Sequence, residues 1–377
     1  MRNRLIHALV VFGTRPEAIK LAPVIRELSR RRKEFKLTVC ATAQHRHLLD
    51  QVTRLFRIPV HYDLNIMKPD QQLDQLTANT VVRVSAMLKQ IQPDLILLQG
   101  DTTTAFVTAL AGFYQRIAVA HIEAGLRTQD RFAPFPEEIN RRLTTHLADY
   151  HFAPTTWAKN NLLQEGIPAD RIFVTGNTVV DAFLEARRRV LQRPPAIPSL
   201  KGLNWGCRKL VLVTAHRREN FGPALEGICL ALRQLALSRD DIEIVYPVHP
   251  NPNVREPVWR SIGAIPRIHL IEPLEYLPFV WLMSQAYLVL TDSGGIQEEM
   301  PSLGRPVLVM RDKTERPEGL EAGVCQLVGT HPDLIRRVVI HLLDDIRAYR
   351  RFARRGNPFG DGKAAPRIVK HLARLLR

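Results

Sequence analysis

Short apolar runs alternate with longer helical patterns along this chain, and the alternation occurs twice, with one proline-rich interruption between the two series. That pattern restricts the fold to parallel sheets with crossover helices, because a strand that must return in the same direction needs a helix-length connection. In the first series the strands are expected at Leu5–Phe12, Lys36–Ala41, Asp94–Gln99, Ile117–Ile122, Tyr150–Phe152 and Ile172–Val174, with helical stretches such as Gln72–Ile91 and Ala105–Tyr114 between them. Pro23 falls early in the first helix and is expected to kink or restart it. Arg193-Pro194-Pro195-Ala196-Ile197-Pro198-Ser199 reads as a linker, since proline and polar residues displace any period there. The second series places strands at Leu210–Thr214, Ile242–Val248, Ile268–Ile271, Tyr287–Thr291, Pro306–Met310 and Cys325–Val328. Two Rossmann-like α/β domains with parallel sheets follow, residues 1–180 and 200–363, with an amphipathic helix over 364–377 after the break at Gly356-Asn357-Pro358-Phe359-Gly360-Asp361-Gly362.

A chain of 377 residues is too long for one ordinary core and comfortable for two. Its 45% hydrophobic content is that of a folded globular protein, and no apolar stretch approaches the roughly 18 residues of a membrane span. The two early arginines and the apolar run of the first dozen residues look superficially like a signal peptide. No small-residue cleavage site follows, and the run leads into Gly13-Thr14-Arg15-Pro16-Glu17, so a first buried strand and a cytoplasmic protein are expected. Cys40, Cys207, Cys229 and Cys325 are far apart and form no C-x-x-C pair, which argues for scattered core thiols and no metal site. The formal charge of +16 raises a nucleic-acid partner, but much of the excess sits in Arg30 to Lys33, Arg187 to Arg189 and Arg350 to Arg355. These clusters fall late in helices or in linkers, where cations complement the helix dipole. With no basic–aromatic interleaving, the balance favours an acidic small substrate over nucleic acid.

In open α/β sheets ligands bind beyond the carboxyl ends of the strands. The first such end carries Gly13-Thr14-Arg15-Pro16-Glu17 and lacks G-x-G-x-x-G, which disfavours bound NAD. It offers Arg15 and Lys20 near a helix N-terminus, suited to phosphate oxygens, or simply a turn with surface charges. Gly100-Asp101-Thr102-Thr103-Thr104, His121-Ile122-Glu123-Ala124-Gly125-Leu126-Arg127-Thr128 and Pro134-Phe135-Pro136-Glu137-Glu138 each bring a carboxylate: Asp101, Glu123 and Glu137. If these converge, mutual repulsion makes one of them an acid or base near neutral pH. Alternatively each pairs with an arginine such as Arg127, Arg131 or Arg141. In the second series, Thr214-Ala215-His216-Arg217-Arg218-Glu219-Asn220 supplies His216 as a diphosphate contact or general acid. Thr291-Asp292-Ser293-Gly294-Gly295-Ile296-Gln297-Glu298-Glu299 runs from a strand into Ser293, Gly294 and Gly295 at a helix start, where bare amides can approach an anion. Glu299, one turn on, is placed to accept ribose hydroxyls.

Taken in order, these stretches closely resemble the bacterial non-hydrolysing UDP-N-acetylglucosamine 2-epimerases. The resemblance includes Thr42-Ala43-Gln44-His45-Arg46, Tyr246-Pro247-Val248-His249 and Arg311 to Glu318, and runs to Asn357-Pro358-Phe359-Gly360-Asp361-Gly362. It implies a GT-B-like fold with the last helix returning to the first domain, a substrate cleft between the domains, and a homodimer. It implies reversible conversion of UDP-GlcNAc to UDP-ManNAc without a cofactor, by elimination of UDP to 2-acetamidoglucal and re-addition, feeding bacterial surface polysaccharide. Carried over by position, Asp101, Glu123 and Glu137 form the acid/base set around the sugar, and His216, Arg15, Lys20 and Arg316 hold or protonate the diphosphate. Ser293, Gly294 and Gly295 give the amide cradle, Glu299 the ribose contact and Phe279 part of the uracil pocket. Gln44, Gln71, Arg217 and His249 match positions through which some relatives bind a second UDP-GlcNAc as activator. Leu274 stands where glutamine is frequent, and Ala215 replaces the usual glycine before the histidine. Related readings are a hydrolysing 2-epimerase, an epimerase of UDP-2,3-diacetamido uronic acids, or a GT-B glycosyltransferase. A nucleic-acid or anionic-surface binder is the reading from a different class.

Overall fold

Along β1 (Ile6–Phe12) six of the seven residues are buried, as expected of a strand covered on both faces by helices. The computed structural model describes residues 4–42, 46–66, 71–203, 206–353 and 355–376, so Gln44 lies outside the described residues. The chain divides into two compact units, Met1–Ala182 with Phe359–Arg377, and Phe183–Pro358. In the first unit β1 is followed by β2 (Phe35–Ala41), β3 (Tyr62–Asp63), β4 (Leu95–Gln99), β5 (Ala118–Ile122), β6 (Tyr150–Ala153) and β7 (Ile172–Val174). They form one sheet in the order β3-β2-β1-β4-β5-β6-β7, with every pairing parallel. The second unit holds β8 (Lys209–Thr214), β9 (Ile242–Pro247), β10 (Ile268–Ile271), β11 (Leu288–Thr291), β12 (Val307–Val309) and β13 (Cys325–Leu327). Their order is β10-β9-β8-β11-β12-β13, again all parallel. In each sheet the winding reverses once, between β1 and β4 and between β8 and β11, which opens a crevice at the strand ends there.

Alternation along the central strands builds two apolar layers per sheet. In β8, Val211 and Val213 pack with Ile228, Leu232 and Ile244 on one face, while Leu210 and Leu212 pack with Val280, Met283 and Val289 on the other. In the first unit Leu9 and Val11 meet Val84, Leu88, Ile96 and Leu98.

Three features depart from the sequence reading. The helix Arg15–Arg30 runs through Pro23 without restarting; Leu21, Ala22, Val24 and Ile25 are all buried, so packing holds the turn where the proline donates no hydrogen bond. The two-residue strand β3 was not anticipated, having no apolar run of its own; it is held by parallel pairing of Cys40 with Tyr62 and Ala41 with Asp63. The passage between units falls at Ala182 and Phe183, inside the helix Thr178–Gln192, whereas Ile197 and Leu200 of the proline-rich segment are buried in the second unit's core. The chain rejoins the first unit at Phe359, whose carbonyl accepts from Asn177 N at 2.7 Å. Asp181 then caps the last helix, Ala364–Leu375, accepting from Ala364 N at 3.1 Å and Ala365 N at 2.9 Å.

Candidate functional site

Both units carry their polar clusters at the switch points. In the first, the loops after β1, β2 and β4 are clasped together before any ligand is considered. Thr42 and Thr104 share a hydroxyl contact of 3.0 Å directly over Gly13, where a Cβ would fall 2.4 Å and 2.5 Å from their oxygens. Only glycine fits there. Glu17, quoted above as part of the first motif with no role assigned, is buried and braces the same region. Its Oε2 accepts from Gly13 N at 3.0 Å and Thr14 N at 2.7 Å, and its Oε1 from Thr102 Oγ1 at 2.7 Å. Burial pushes its carboxyl above the usual range despite these three hydrogen bonds, so a buried glutamate tolerated here is one whose two oxygens both have donors.

Glu123 follows β5 with φ of +66°, a left-handed conformation that costs an L-residue about 1–2 kcal/mol. Its carboxylate repays that through four contacts. Lys20 Nζ lies 2.7 Å from Oε1 and 2.6 Å from Oε2, Gln99 Nε2 donates to Oε1 at 3.0 Å, and Asn177 Nδ2 donates to Oε2 at 2.7 Å. Lys20, expected at a phosphate, is therefore spent at least in part on this carboxylate. Asp101 follows Gly100, itself at φ +73°, and its Oδ2 accepts from Arg141 while its Oδ1 accepts from no described residue. Asn140 Nδ2 donates to the Asp101 carbonyl at 3.0 Å, which ties this turn to the helix Glu137–Leu147. Glu137 opens that helix, half-buried. Asp101, Glu123 and Glu137 thus stand on neighbouring strand ends and on the helix tied to them, and the question of arginine pairing divides: Asp101 pairs with Arg141, Glu123 with a lysine. Arg127 instead forms a two-pronged pair with Glu165 at 2.7 Å and 2.6 Å. Among described residues the Arg15 side chain makes no hydrogen bond or ion pair, so its guanidinium is available to an anion.

Two supports here were invisible as such in the sequence. His121, fully buried, meets the Gly100 carbonyl with Nε2 at 2.8 Å and so fixes the turn that presents Asp101. Burial pulls its pKa down to about 3, so the ring is neutral and donates to that carbonyl. Glu138, fully buried, accepts from Thr128 N and Arg142 Nε, both at 3.1 Å, and stitches the loop after β5 to the helix that Glu137 opens.

In the second unit Thr214 and Thr291 tie the ends of β8 and β11 through a 2.7 Å hydroxyl contact. His216 is half-buried, with Nδ1 3.3 Å from Asp292 Oδ1 and its ring stacked on exposed His249 at 5.5 Å. Burial holds its pKa below the ordinary value; Asp292 opposes this, while Arg217 and His249 add to it. Ser293 N donates to Thr291 Oγ1 at 3.0 Å and starts the short helix Gly294–Glu299. A Cβ on Gly294 would stand 3.1 Å from Glu315 Oε1, 3.6 Å from Arg316 Nη2 and 3.7 Å from Arg217 Nη2, so the bare turn and these two arginines share one small space. Arg316 Nε donates to buried Glu298, and Arg217 Nη2 to Glu315 at 3.1 Å. Burial alone would raise the Glu315 pKa, but Arg316, Arg217 and Arg311 outweigh it and hold it at about 2. With Arg311 also paired to Glu219, the three guanidiniums are matched by Glu219, Glu298 and Glu315. Attraction for an anion therefore rests on fixed, directed N–H groups more than on local net charge. Glu299 is buried against the Tyr276 hydroxyl, whose pKa is raised well above its ordinary value by burial first and by Glu299 second. Phe279 lies half-buried in the helix Tyr276–Gln285 and, like Leu274, packs at the margin of the core. Gln71 precedes the helix Leu73–Ile91 in the first unit, apart in sequence from Arg217 and His249 of the second.

Paired parallel, doubly wound units with polar clusters at their switch points define a two-unit α/β protein of the GT-B type. The family model described as UDP-N-acetylglucosamine 2-epimerase matches residues 26–373. A probable UDP-N-acetylglucosamine 2-epimerase of Ralstonia solanacearum is 55% identical over 366 residues, covering 96% of this chain and 97% of that protein. The UDP-N-acetylglucosamine 2-epimerase of Escherichia coli (strain K12) is 53% identical over 368 residues, 97% of each. The crystal structure of UDP-GlcNAc 2-epimerase from Neisseria meningitidis bound to UDP-GlcNAc superposes with a TM-score of 0.91 at 48% identity, covering 98% of this chain and 100% of that one. The chain belongs to the UDP-N-acetylglucosamine 2-epimerase family.

Proposed function

We propose that the chain interconverts UDP-GlcNAc and UDP-ManNAc by eliminating UDP and adding it back. The proton on C2 has no neighbouring carbonyl in the ring, so its simple removal is prohibitive; coupling that removal to departure of UDP gives 2-acetamidoglucal, and protonation from the other face followed by re-addition inverts C2. In the forward half a carboxylate takes the C2 proton, the C1–O bond breaks, and the β-phosphate oxygen receives its electrons. The observation that carries this reading is the division of labour between the two units. The first presents Asp101, Glu123 and Glu137 on braced loops, with Arg15 available to the diphosphate. The second presents His216, Arg316 and the Ser293-Gly294-Gly295 turn, chemistry suited to a departing diphosphate. Glu299 serves the ribose and Phe279 the base. The reading includes a cytoplasmic homodimer, and Gln71, Arg217 and His249 as contacts for a second UDP-GlcNAc acting as activator. Among the described residues no helix is long and apolar enough to cross a membrane.

Incubation with UDP-GlcNAc in D2O, followed by proton NMR, tests the reaction. UDP-ManNAc carrying deuterium at C2 is the expected product. Stoichiometric free UDP and ManNAc would make the enzyme hydrolytic, and unchanged substrate at every enzyme concentration would refute both. Asp101→Asn is expected to lower kcat by roughly 100-fold or more while UDP still binds; full activity would remove Asp101 from the acid/base set.

A further inference from the structure

We propose that Asp292 is a positioning residue that fixes the tautomer of His216 and sustains its imidazolium as the diphosphate departs. The inference rests on the reading that His216 faces that diphosphate. Asp292 follows β11 and is entirely buried. Its Oδ2 is saturated, accepting from His216 N at 2.7 Å, Arg217 N at 2.8 Å and Asn220 Nδ2 at 3.1 Å. Asn220 Nδ2 also reaches the Met310 carbonyl at 3.1 Å, so this half of the carboxylate locks the loop after β8 onto the end of β12. The other oxygen, Oδ1, is buried and accepts no hydrogen bond, and His216 Nδ1 stands 3.3 Å away. A buried carboxylate oxygen calls for a donor. A proton on Nδ1, with a small rotation of the ring, supplies it.

That arrangement leaves Nε2 as the working nitrogen, a base when the ring is neutral and a donor when it is charged. The remaining groups facing the ring are Arg217 on its own segment and His249 after β9, and both disfavour a second proton. Asp292 is the charged group among the described residues that favours it. During elimination the C1–O electrons pass to the β-phosphate oxygen, Nε2–H gives that oxygen its proton, and neutral imidazole remains with Nδ1–H on Asp292. Re-addition returns the proton to Nε2. The logic is that of a carboxylate orienting a catalytic histidine, here on a doubly wound sheet.

Asp292→Asn separates the two halves of the carboxylate. The amide oxygen retains the three bonds that Oδ2 accepts, and the amide nitrogen then faces Nδ1, which has to become the acceptor. Expected are a melting temperature and UDP affinity close to the parent's and a shift of the neutral His216 proton from Nδ1 to Nε2 in 15N NMR. Turnover is expected to fall by about 100-fold with KM within about threefold, and the limb of the kcat profile requiring protonated histidine to move to lower pH. Unchanged turnover with an unchanged profile overturns the proposal. So does a neutral His216 that carries its proton on Nε2 in the unsubstituted enzyme, a measurement that does not depend on the variant folding. His216→Asn assigns the NMR signal and separates the premises: full turnover in that variant removes His216 from the diphosphate, whereas an Nε2–H tautomer with turnover lost in His216→Asn refutes only the role of Asp292.

Discussion

Glu123 and His121 sit two residues apart on the same strand end and solve opposite problems. Glu123 is satisfied in a buried place by gathering an ammonium and two amides; His121 forgoes charge altogether and spends its proton on the Gly100 carbonyl. Neutrality has a cost in acid. The folded ring resists protonation until about pH 3, while the unfolded one titrates at 6.5. Since the folded pKa is depressed, the unfolded chain binds the extra proton first, and native stability is lost as the pH falls from 6.5 towards 3. At pH 5 the loss is about 2 kcal/mol from this residue. His121→Gln, which can still donate to Gly100, should therefore lose less stability than the parent between pH 7.5 and 5 in urea unfolding; parallel losses would mean that His121 does not drive the acid sensitivity. That Asp101 and Glu123 stand at strand ends was legible from the apolar runs that precede them. Their partners were not: Lys20 and Glu123 are 103 residues apart, and Arg141 and Asp101 40, so only the folded sheet selects the pair.

Elements were more legible than pairings wherever burial wrote a continuous apolar run. β5, β7 and β11 appear within a residue of their expected bounds because each is a short, mainly apolar run, and β5 and β11 are buried along most or all of their length as central parallel strands are. β3 escaped because two residues cannot carry a period, and Pro23 misled because a local rule yields to packing on both sides of it. The last helix was legible as amphipathic, but what fastens it was not: Asp181, 183 residues earlier, caps its first turn. Burial lifts the Asp181 pKa from 3.8 to about 6. A raised carboxyl pKa means the folded chain binds the proton first, so this position gains stability as the pH falls through 6 and has its full contribution below 3.8. Asp181→Ala should cost about 1–2 kcal/mol at pH 7 for the lost cap, and the gap to the parent should widen by about 1 kcal/mol at pH 5. Urea midpoints at the two pH values measure both. A gap that narrows in acid would place the titrating proton elsewhere.

At the scale of the molecule, the charge of +16 is the feature the fold explains least directly. The basic clusters do sit where cations are cheap: Arg30, Arg189, Arg350 and Arg351 occupy the last turns of their helices, near the negative ends of the dipoles. The arginines beside the Gly294 turn, by contrast, are matched one for one by carboxylates. The excess is therefore a diffuse field over the surface, and a field of that kind raises the rate at which an anion arrives without improving its fit. For a nucleotide-sugar carrying a diphosphate, kcat/KM should fall roughly three- to tenfold as salt rises from ~0.02 M to ~0.2 M, since the Debye length shrinks from roughly 20 Å to under 10 Å. The kcat of the bound complex, governed by groups in contact, should change less than about twofold. Retention on immobilised DNA should vanish by ~0.15 M salt, because a smooth positive field offers phosphates no built groove. Steady-state kinetics across that range and a salt gradient on a DNA column measure the two. A kcat/KM indifferent to salt, together with DNA retained at ~0.15 M, would mean that the basic surface is a specific nucleic-acid face and does not serve the substrate.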